Sequence, residues 1–261
     1  MLKLYHDPIS PNSRRVWITL LEKGLEFELV EVKLDGEQFK PEFLAISPFH
    51  HIPVLVDDGF NLVESLAILD YLEAKYPTPA MLPSNAQDLA IVRMVELTAS
   101  NELLPVTIAL SPVLLGFAGG DLEKIEQAKQ KASTVLNFYE GLLDERPFFG
   151  SETITLAEPV AGTIVPWLLG GGISLGDYPK LRAWSDRIQT RPTWQKTQAT
   201  PEAIEKLKSR VTSSPPNCEA QYRRGFPTSR SRVADSQDSH PSIFHSQQTL
   251  VQASVLPDSK C

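Results

Sequence analysis

Residues 47–65 read SPFHHIPVLVDDGFNLVES, and this stretch decides the fold. Two short apolar runs, Pro53–Val56 and Asn61–Val63, flank Asp57-Asp58-Gly59. Asp-Gly between apolar runs is a strong hairpin signal, because glycine accepts the positive φ of a tight turn. A proline opening the first run donates no ladder hydrogen bond. The peptide backbone of Ile52 just before it is therefore expected to face outward, toward a ligand. Glu64-Ser65 then places an acid and a hydroxyl at a helix start, where free N–H groups favour a carboxylate. Backbone pairing and carboxylate binding in one segment suit a small anionic peptide.

Outward from the hairpin, the order is strand and helix in alternation. Leu2–Tyr5 reads as a strand and Ser13–Lys23 as a helix with Val16, Leu20 and Leu21 on one stripe. Phe27–Leu34 alternates at period two, and Pro41–Ile46 makes a short helical turn. After the hairpin, Leu66–Tyr76 carries Leu66, Ile68, Leu69 and Leu72 at helical spacing. The result is βαβα-ββα, a small mixed sheet covered by helices. Residues 78–86 open on Thr78-Pro79 and continue through Pro83, which reads as a linker.

Residues 87–118, 121–144, 155–170 and 178–190 show helical periodicity without strand signals. Pro105 and Pro112 predict a bent or broken first helix there. Thr155-Leu156-Ala157-Glu158 has the form of a capping box, although Pro159 directly after it predicts a distorted first turn. From about residue 209 the chain turns rich in Ser, Pro and Gln and loses all periodicity, which reads as a disordered tail over 209–261. The expected plan is residues 1–77 as an α/β domain, 78–86 as linker, 87–208 as an all-helical domain, then the tail.

Composition narrows the function. The chain has 261 residues and a formal net charge of −7, which disfavours a general nucleic-acid or anionic-membrane role. The start MLKLYHDP lacks the pattern of a secretory signal, and no apolar run approaches the ~20 residues of a membrane span. A cytoplasmic protein is the expectation. Cysteine occurs only at Cys218 and Cys261, so no thiol nucleophile, disulfide or cysteine-zinc cluster can operate in the first 200 residues. Adjacent His50 and His51 point to opposite sides of extended chain and have no ligand cluster nearby in sequence, so no metal is expected.

Three separated motifs carry a family resemblance. SPFHHIPVLVDDGFNLVESLAILDYL resembles the NPxGxVPxLxD…ES.AI..YL signature of glutathione S-transferases. Thr155-Leu156-Ala157-Glu158 is similar to the family's T/S-x-A-D, and YPKLRAW…RPTWQK at 178–196 is similar to its C-terminal pattern. The resemblance covers about the first 200 residues and implies a thioredoxin-like domain followed by an all-helical one. ISPNSRRV resembles the serine-type classes (theta, zeta and phi), which makes Ser10 the catalytic hydroxyl. Two departures stand out. His50 replaces the signature glycine, and Pro11-Asn12 replaces the zeta-class cysteine, which disfavours maleylacetoacetate isomerisation. The lack of an active-site cysteine also disfavours thiol exchange.

The chemistry can be argued from the residues. A thiol with a reference pKa near 8.5 is mostly protonated at neutral pH, while the thiolate is the nucleophile. A hydroxyl donating to sulfur and free N–H groups at a helix start both favour the thiolate. A drop of ~2 pKa units corresponds to roughly 2.7 kcal/mol. Ser10-Pro11 is equally a good N-cap followed by proline at the first helical position, which needs no catalytic explanation. Ser13 and Tyr5 remain rival donors, and Arg14 and Arg15 read as solvated helix residues, one of which could help hold a substrate anion.

By the resemblance, Ile52 pairs through its backbone with the cysteinyl part of glutathione, with Pro53 cis. Glu64 and Ser65 hold the γ-glutamyl group, and Gln38 and His51 reach the glycyl end. Ile9, Leu103, Val106, Thr107 and Leu110 line a pocket for the second substrate, although their stripe fits a plain core equally well. The expected protein is a homodimeric transferase that uses glutathione as co-substrate, with no other cofactor, and conjugates it to an apolar electrophile. Alternatives are a glutathione-dependent peroxidase, dehalogenase or lyase, or a non-catalytic binding module.

Overall fold

The hairpin forms one edge of a four-stranded sheet. The computed structural model describes residues 1–117 and 121–213. β1 (Leu2–His6), β2 (Phe27–Glu31), β3 (Val54–Asp57) and β4 (Phe60–Leu62) lie in the order β2-β1-β3-β4. β1 and β2 are parallel, with Leu2 opposite Phe27, while β3 runs antiparallel to both β1 and β4. A parallel pair needs a crossover, and α1 (Pro11–Glu22) supplies it. The turn residues Asp58 and Gly59 have φ of 48° and 88°, the left-handed pair of a type I′ hairpin, whose twist matches the strands it joins. Proline explains the late start of β3: pairing starts at Val54 opposite Tyr5, so Pro53 stays outside the ladder, while β4 begins one residue earlier than expected and β2 stops at Glu31.

Side chains alternate across the sheet as period two requires. Leu2, Leu4 and Leu55 join the main core under α1 and α3 (Ser65–Lys75), beside Val16, Leu20, Ile68, Leu69 and Leu72. The opposite face is closed by a smaller cluster of Val32, Phe43 and Val54, with Phe43 supplied by α2 (Pro41–Leu44).

The rest of the described chain is helical. α4 (Ala86–Thr98) runs into one π-helical turn, Ala99–Leu103, and then α5 (Leu104–Ala109) and α6 (Ser111–Leu114). The break falls where it was expected. Pro105 has no N–H to return along the helix, and the ladder widens immediately before it. α7 (Leu122–Leu142) is a single long helix. Residues 155–170 do not form one helix but two, α8 (Ala157–Ala161) and α9 (Val165–Gly170). Gly162 sits at the joint because a Cβ there would stand 2.6 Å from the Glu158 carbonyl oxygen. α10 (Pro179–Gln189), α11 (Pro192–Lys196) and α12 (Pro201–Ser213) complete the order. α12 carries helix past residue 208, and the remainder of the expected tail, 214–261, lies outside the described residues.

The capping box forms in part: Glu158 reaches back to Thr155 as expected, but Leu156 is the N-cap of α8, and Thr155 Oγ1 accepts from Ala157 N–H rather than from Glu158 N–H. Ala157 N–H donates to Thr155 Oγ1 at 3.2 Å, and Thr155 N–H donates to Glu158 Oε2 at 2.7 Å. Glu158 is fully buried, and its other oxygen accepts from Phe149 N–H and Trp184 Nε1. Burial pushes this carboxyl up, against the donors that surround it.

Two ionic links fix α1 at its C-terminal end. Lys23 pairs with Glu73 at 2.6 Å and donates to the Tyr76 and Pro79 carbonyls, while Arg191 forks onto Glu22 at 2.9 and 2.6 Å. The helix that bears Ser10 is thereby held between α3 and the C-terminal helices.

Candidate functional site

Ser10 is the N-cap of α1, with extended backbone (φ −62°, ψ 118°), and its Oγ accepts from Ser13 N–H at 3.3 Å. Pro11 occupies the first helical turn, where its missing N–H costs nothing. The Ser10 hydroxyl is half-buried, so it both caps the helix and borders solvent. Asp7 shapes the approach to it: Ile9 N–H donates to Asp7 Oδ1 at 2.9 Å, and Ser10 N–H donates to the Asp7 carbonyl.

The rival donors are placed elsewhere. Ser13 is fully buried inside the first turn, its Oγ 3.4 Å from Asp7 N. Tyr5 stands edge-on to Phe43 at 6.3 Å, on the sheet face opposite α1.

The second half of the site is the start of α3. Glu64 is its N-cap, with φ 67° and ψ 109°, and makes no side-chain capping bond. A non-glycine residue held there stores on the order of 1–3 kcal/mol of strain, a cost that tends to occur at ligand sites. The Glu64 side chain is exposed and forms no ion pair among the described residues. Ser65, the first residue of the helix, is buried, and its Oγ accepts from Arg15 Nη1 at 3.3 Å. Arg15 lies five residues past Ser10, about 7.5 Å along a helix. β1 and β4 run parallel to each other through β3, so α1 and α3, which follow them, start at the same end of the sheet, and the Arg15–Ser65 contact ties the two helices together. The start of α3, which no side chain caps, offers its first N–H groups to an anion, and the α1 dipole adds positive potential beside Ser10.

Between them runs the loop 47–53. Ser47 Oγ donates to the His51 carbonyl at 2.9 Å, and His50 N–H donates to the Ser47 carbonyl at 2.9 Å. His50 has φ 50°, so this residue takes the left-handed conformation that glycine adopts most freely. The loop keeps a glycine-like path despite the substitution. The Ile52–Pro53 peptide is cis, and Ile52 stands outside the β1–β3 ladder, which begins at Val54. His51 is exposed, with its ring 6.5 Å from Phe49. Gln38 sits on the 3-10 turn Glu37–Phe39, half-buried, with Oε1 accepting from Gly36 N–H at 3.0 Å. No group of three or more potential metal ligands occurs among the described residues.

The residues named for the second substrate divide. Leu103, Val106 and Leu110 are closed into the main core, because the π-helical turn and α5 bury that stripe against their neighbours. They act as packing rather than as an open wall. Thr107 is half-buried and donates to the Leu104 carbonyl at 2.8 Å, and Ile9 is buried beside Ser10.

Arg14 and Arg15 are not solvated. Both are buried, Arg15 to 1% exposure, because α1 is covered by α3 on one side and α8 on another. Burial pushes the Arg15 guanidinium down to about 10, against the pull of Glu96, so it stays charged at neutral pH. The clue in the sequence was spacing: Arg15 shares a helix face with Ile18 and Thr19, both fully buried.

The glutathione S-transferase N-terminal domain matches residues 4–80, and the glutathione S-transferase C-terminal domain matches residues 105–192. The chain is 33% identical to glutathione S-transferase F10 of Arabidopsis thaliana, over 76% of this chain and 97% of that protein. It is similar in structure to glutathione transferase F7 of Populus trichocarpa, with 29% identity and a TM-score of 0.66 over 78% of this chain and 99% of the other. A glutathione transferase homolog from sulfitobacter, solved with bound glutathione, superposes with a TM-score of 0.64 at 26% identity, over 75% of this chain and 96% of the other. With both domains matched in order and a relative this similar over most of its length, the chain belongs to the glutathione S-transferase family.

Proposed function

We propose that this protein conjugates glutathione to small apolar electrophiles, with Ser10 holding the thiolate. The carrying observation is that α1 and α3 start at one end of the sheet and are tied together by Arg15 and Ser65. The thiol loses its proton to solvent. The Ser10 hydroxyl, which accepts from Ser13 N–H, donates its own proton to the sulfur and lowers the thiol pKa. The thiolate then forms a C–S bond at the electrophilic carbon as the leaving group departs with its electron pair. Ile52 pairs with the cysteinyl backbone, Glu64 takes the γ-glutamyl ammonium, and Ser65 takes the γ-glutamyl carboxylate with the N-terminus of α3. Gln38 and His51 serve the glycyl end, and Ile9 and Thr107 border the electrophile.

The working form is a cytoplasmic homodimer with a detoxifying role. In support of association, Phe49, Phe60, Met94 and Leu97 are large, apolar and exposed. No helix among the described residues is long and apolar enough to cross a membrane.

The test is retention on immobilised glutathione together with conjugation of an aryl halide, followed by absorbance. Specific elution by free glutathione and steady product formation are expected. Neither retention nor product would overturn the reading.

A further inference from the structure

We infer that His6 is an acid-sensitive clasp on the Asp7–Ser10 loop, holding it in place while the ring is neutral and releasing it when the ring is protonated. The effect on rate rests on the proposed role of Ser10, whereas the effect on the loop stands apart from that reading.

His6 ends β1, the loop Asp7–Ser10 follows, and α1 starts at Pro11. The His6 ring packs edge-on to Trp17 of α1, with centroids 5.2 Å apart. One contact thus joins the strand before the loop to the helix after it. Inside that span Asp7 shapes the turn, accepting from Ile9 N–H through Oδ1 and from Ser10 N–H through its carbonyl. Displacing His6 therefore pulls on the backbone that presents Ser10.

The surroundings of the ring oppose a second proton. His6 is 6% exposed, and its Nδ1 has no partner among the described residues. A neutral imidazole can leave a bare lone pair there, whereas an imidazolium carries N–H on both nitrogens and needs an acceptor at each. Trp17 Nε1 is a donor and is itself unpartnered, as is Nε of Arg14 one turn earlier on α1, and neither can accept. Two carboxylates act on the ring: Glu31, opposite His6 in the parallel β1–β2 register, and Asp7, next in the chain. Glu31 is exposed, and Asp7 Oδ1 is engaged by Ile9. Burial outweighs their attraction and pushes the imidazole below its ordinary value, so the closed loop holds the ring neutral. Once the ring leaves Trp17 for water, it takes a proton in the ordinary histidine range. The closed form is therefore fully favoured above that range and loses ground as pH falls through it.

The experiment uses the full chain as wild type, His6→Phe and Glu31→Gln, at pH 7.5 and 5.5. Hydrogen exchange of backbone amides over residues 7–16, corrected for the intrinsic pH dependence of exchange, reads the loop. Opening in wild type should rise about threefold or more at the lower pH. His6→Phe keeps an aromatic ring against Trp17 but takes no proton, and should show no rise. Glu31→Gln removes an attraction that favours the proton in the closed form, so its rise should exceed that of wild type, which covers a failure of His6→Phe to fold. Aryl-halide conjugation, with kcat/KM scaled to each protein's own value at pH 7.5, should fall about threefold or more further in wild type than in His6→Phe. The thiol's own protonation is common to both and cancels. Exchange that does not rise in wild type, a rise shared by His6→Phe, a rise not enlarged in Glu31→Gln, or equal falls in scaled rate would each overturn the inference. Absence of product from every protein, with the exchange pattern as expected, would overturn the proposed function and leave the clasp standing.

Discussion

Ser13 N–H donates to Ser10 Oγ across 3.3 Å, so the hydroxyl assigned to sulfur is also the cap of the helix that carries it. Capping uses the oxygen as acceptor and leaves the proton to give, so the two roles are compatible. Ser13 supplies this bond from its backbone, and its side chain is dispensable for the cap. Ser13→Ala should therefore conjugate within a few-fold of wild type. Ser10→Ala should cost about 1 kcal/mol of stability through the lost cap, read by urea denaturation.

Glu64 shows the opposite arrangement, in which stability is given up for a site. Its φ of 67° is one that glycine adopts freely. Glu64→Gly should stabilise the fold by about 1 kcal/mol while weakening glutathione about tenfold or more through loss of the carboxylate. Denaturant midpoints and titration calorimetry on one preparation read both. A variant that loses stability would show that the backbone there is unstrained.

Asp88 gives a pH-dependent test away from the site. Hydrogen bonds from Arg146 and Asn85 hold its carboxyl down to about 2, with Arg146 contacts at 2.9 Å to both oxygens. A depressed folded value means the contribution is present above the ordinary carboxylate range and lost as pH falls through about 2. Asp88→Asn should lower the denaturant midpoint at pH 7, and the difference from wild type should close as pH falls toward 2. A difference that persists at low pH would assign the effect to packing.

Glu158 tests the capping box. Glu158→Ala leaves the buried Phe149 and Thr155 N–H groups without acceptors, at about 1–3 kcal/mol each. A loss of at least 2 kcal/mol by denaturation is expected, with residual conjugation activity per folded molecule unchanged.

Signals local in sequence were legible. Asp58-Gly59 marked the hairpin, Ser10-Pro11 the start of α1, Thr155 and Glu158 the capping box, and Pro105 the break after α4. Each depends on a few neighbouring residues and on backbone geometry that tertiary contacts reinforce. What was not legible depends on what lies opposite. Arg15 reads as solvated because a charged side chain usually is, yet α3 and α8 cover its face of α1. Leu103, Val106 and Leu110 form the same stripe whether they face a cleft or a core, and only the neighbouring helices decide. At Gly162 the local Glu158 carbonyl already crowds a Cβ, and Ile188, 26 residues away in sequence, adds a second contact that no local pattern announces.

The central claim is that Ser10 holds the thiolate of glutathione, and the direct measurement is the pH dependence of kcat/KM for aryl-halide conjugation in wild type and Ser10→Ala. The hydroxyl-to-thiolate bond is worth about 1.5–3 kcal/mol, so Ser10→Ala should be slower by roughly 10- to 100-fold at neutral pH. Its profile should shift upward by about 1 to 2 pH units, with glutathione still bound. A Ser10→Ala enzyme with the wild-type rate and an unshifted profile would contradict it.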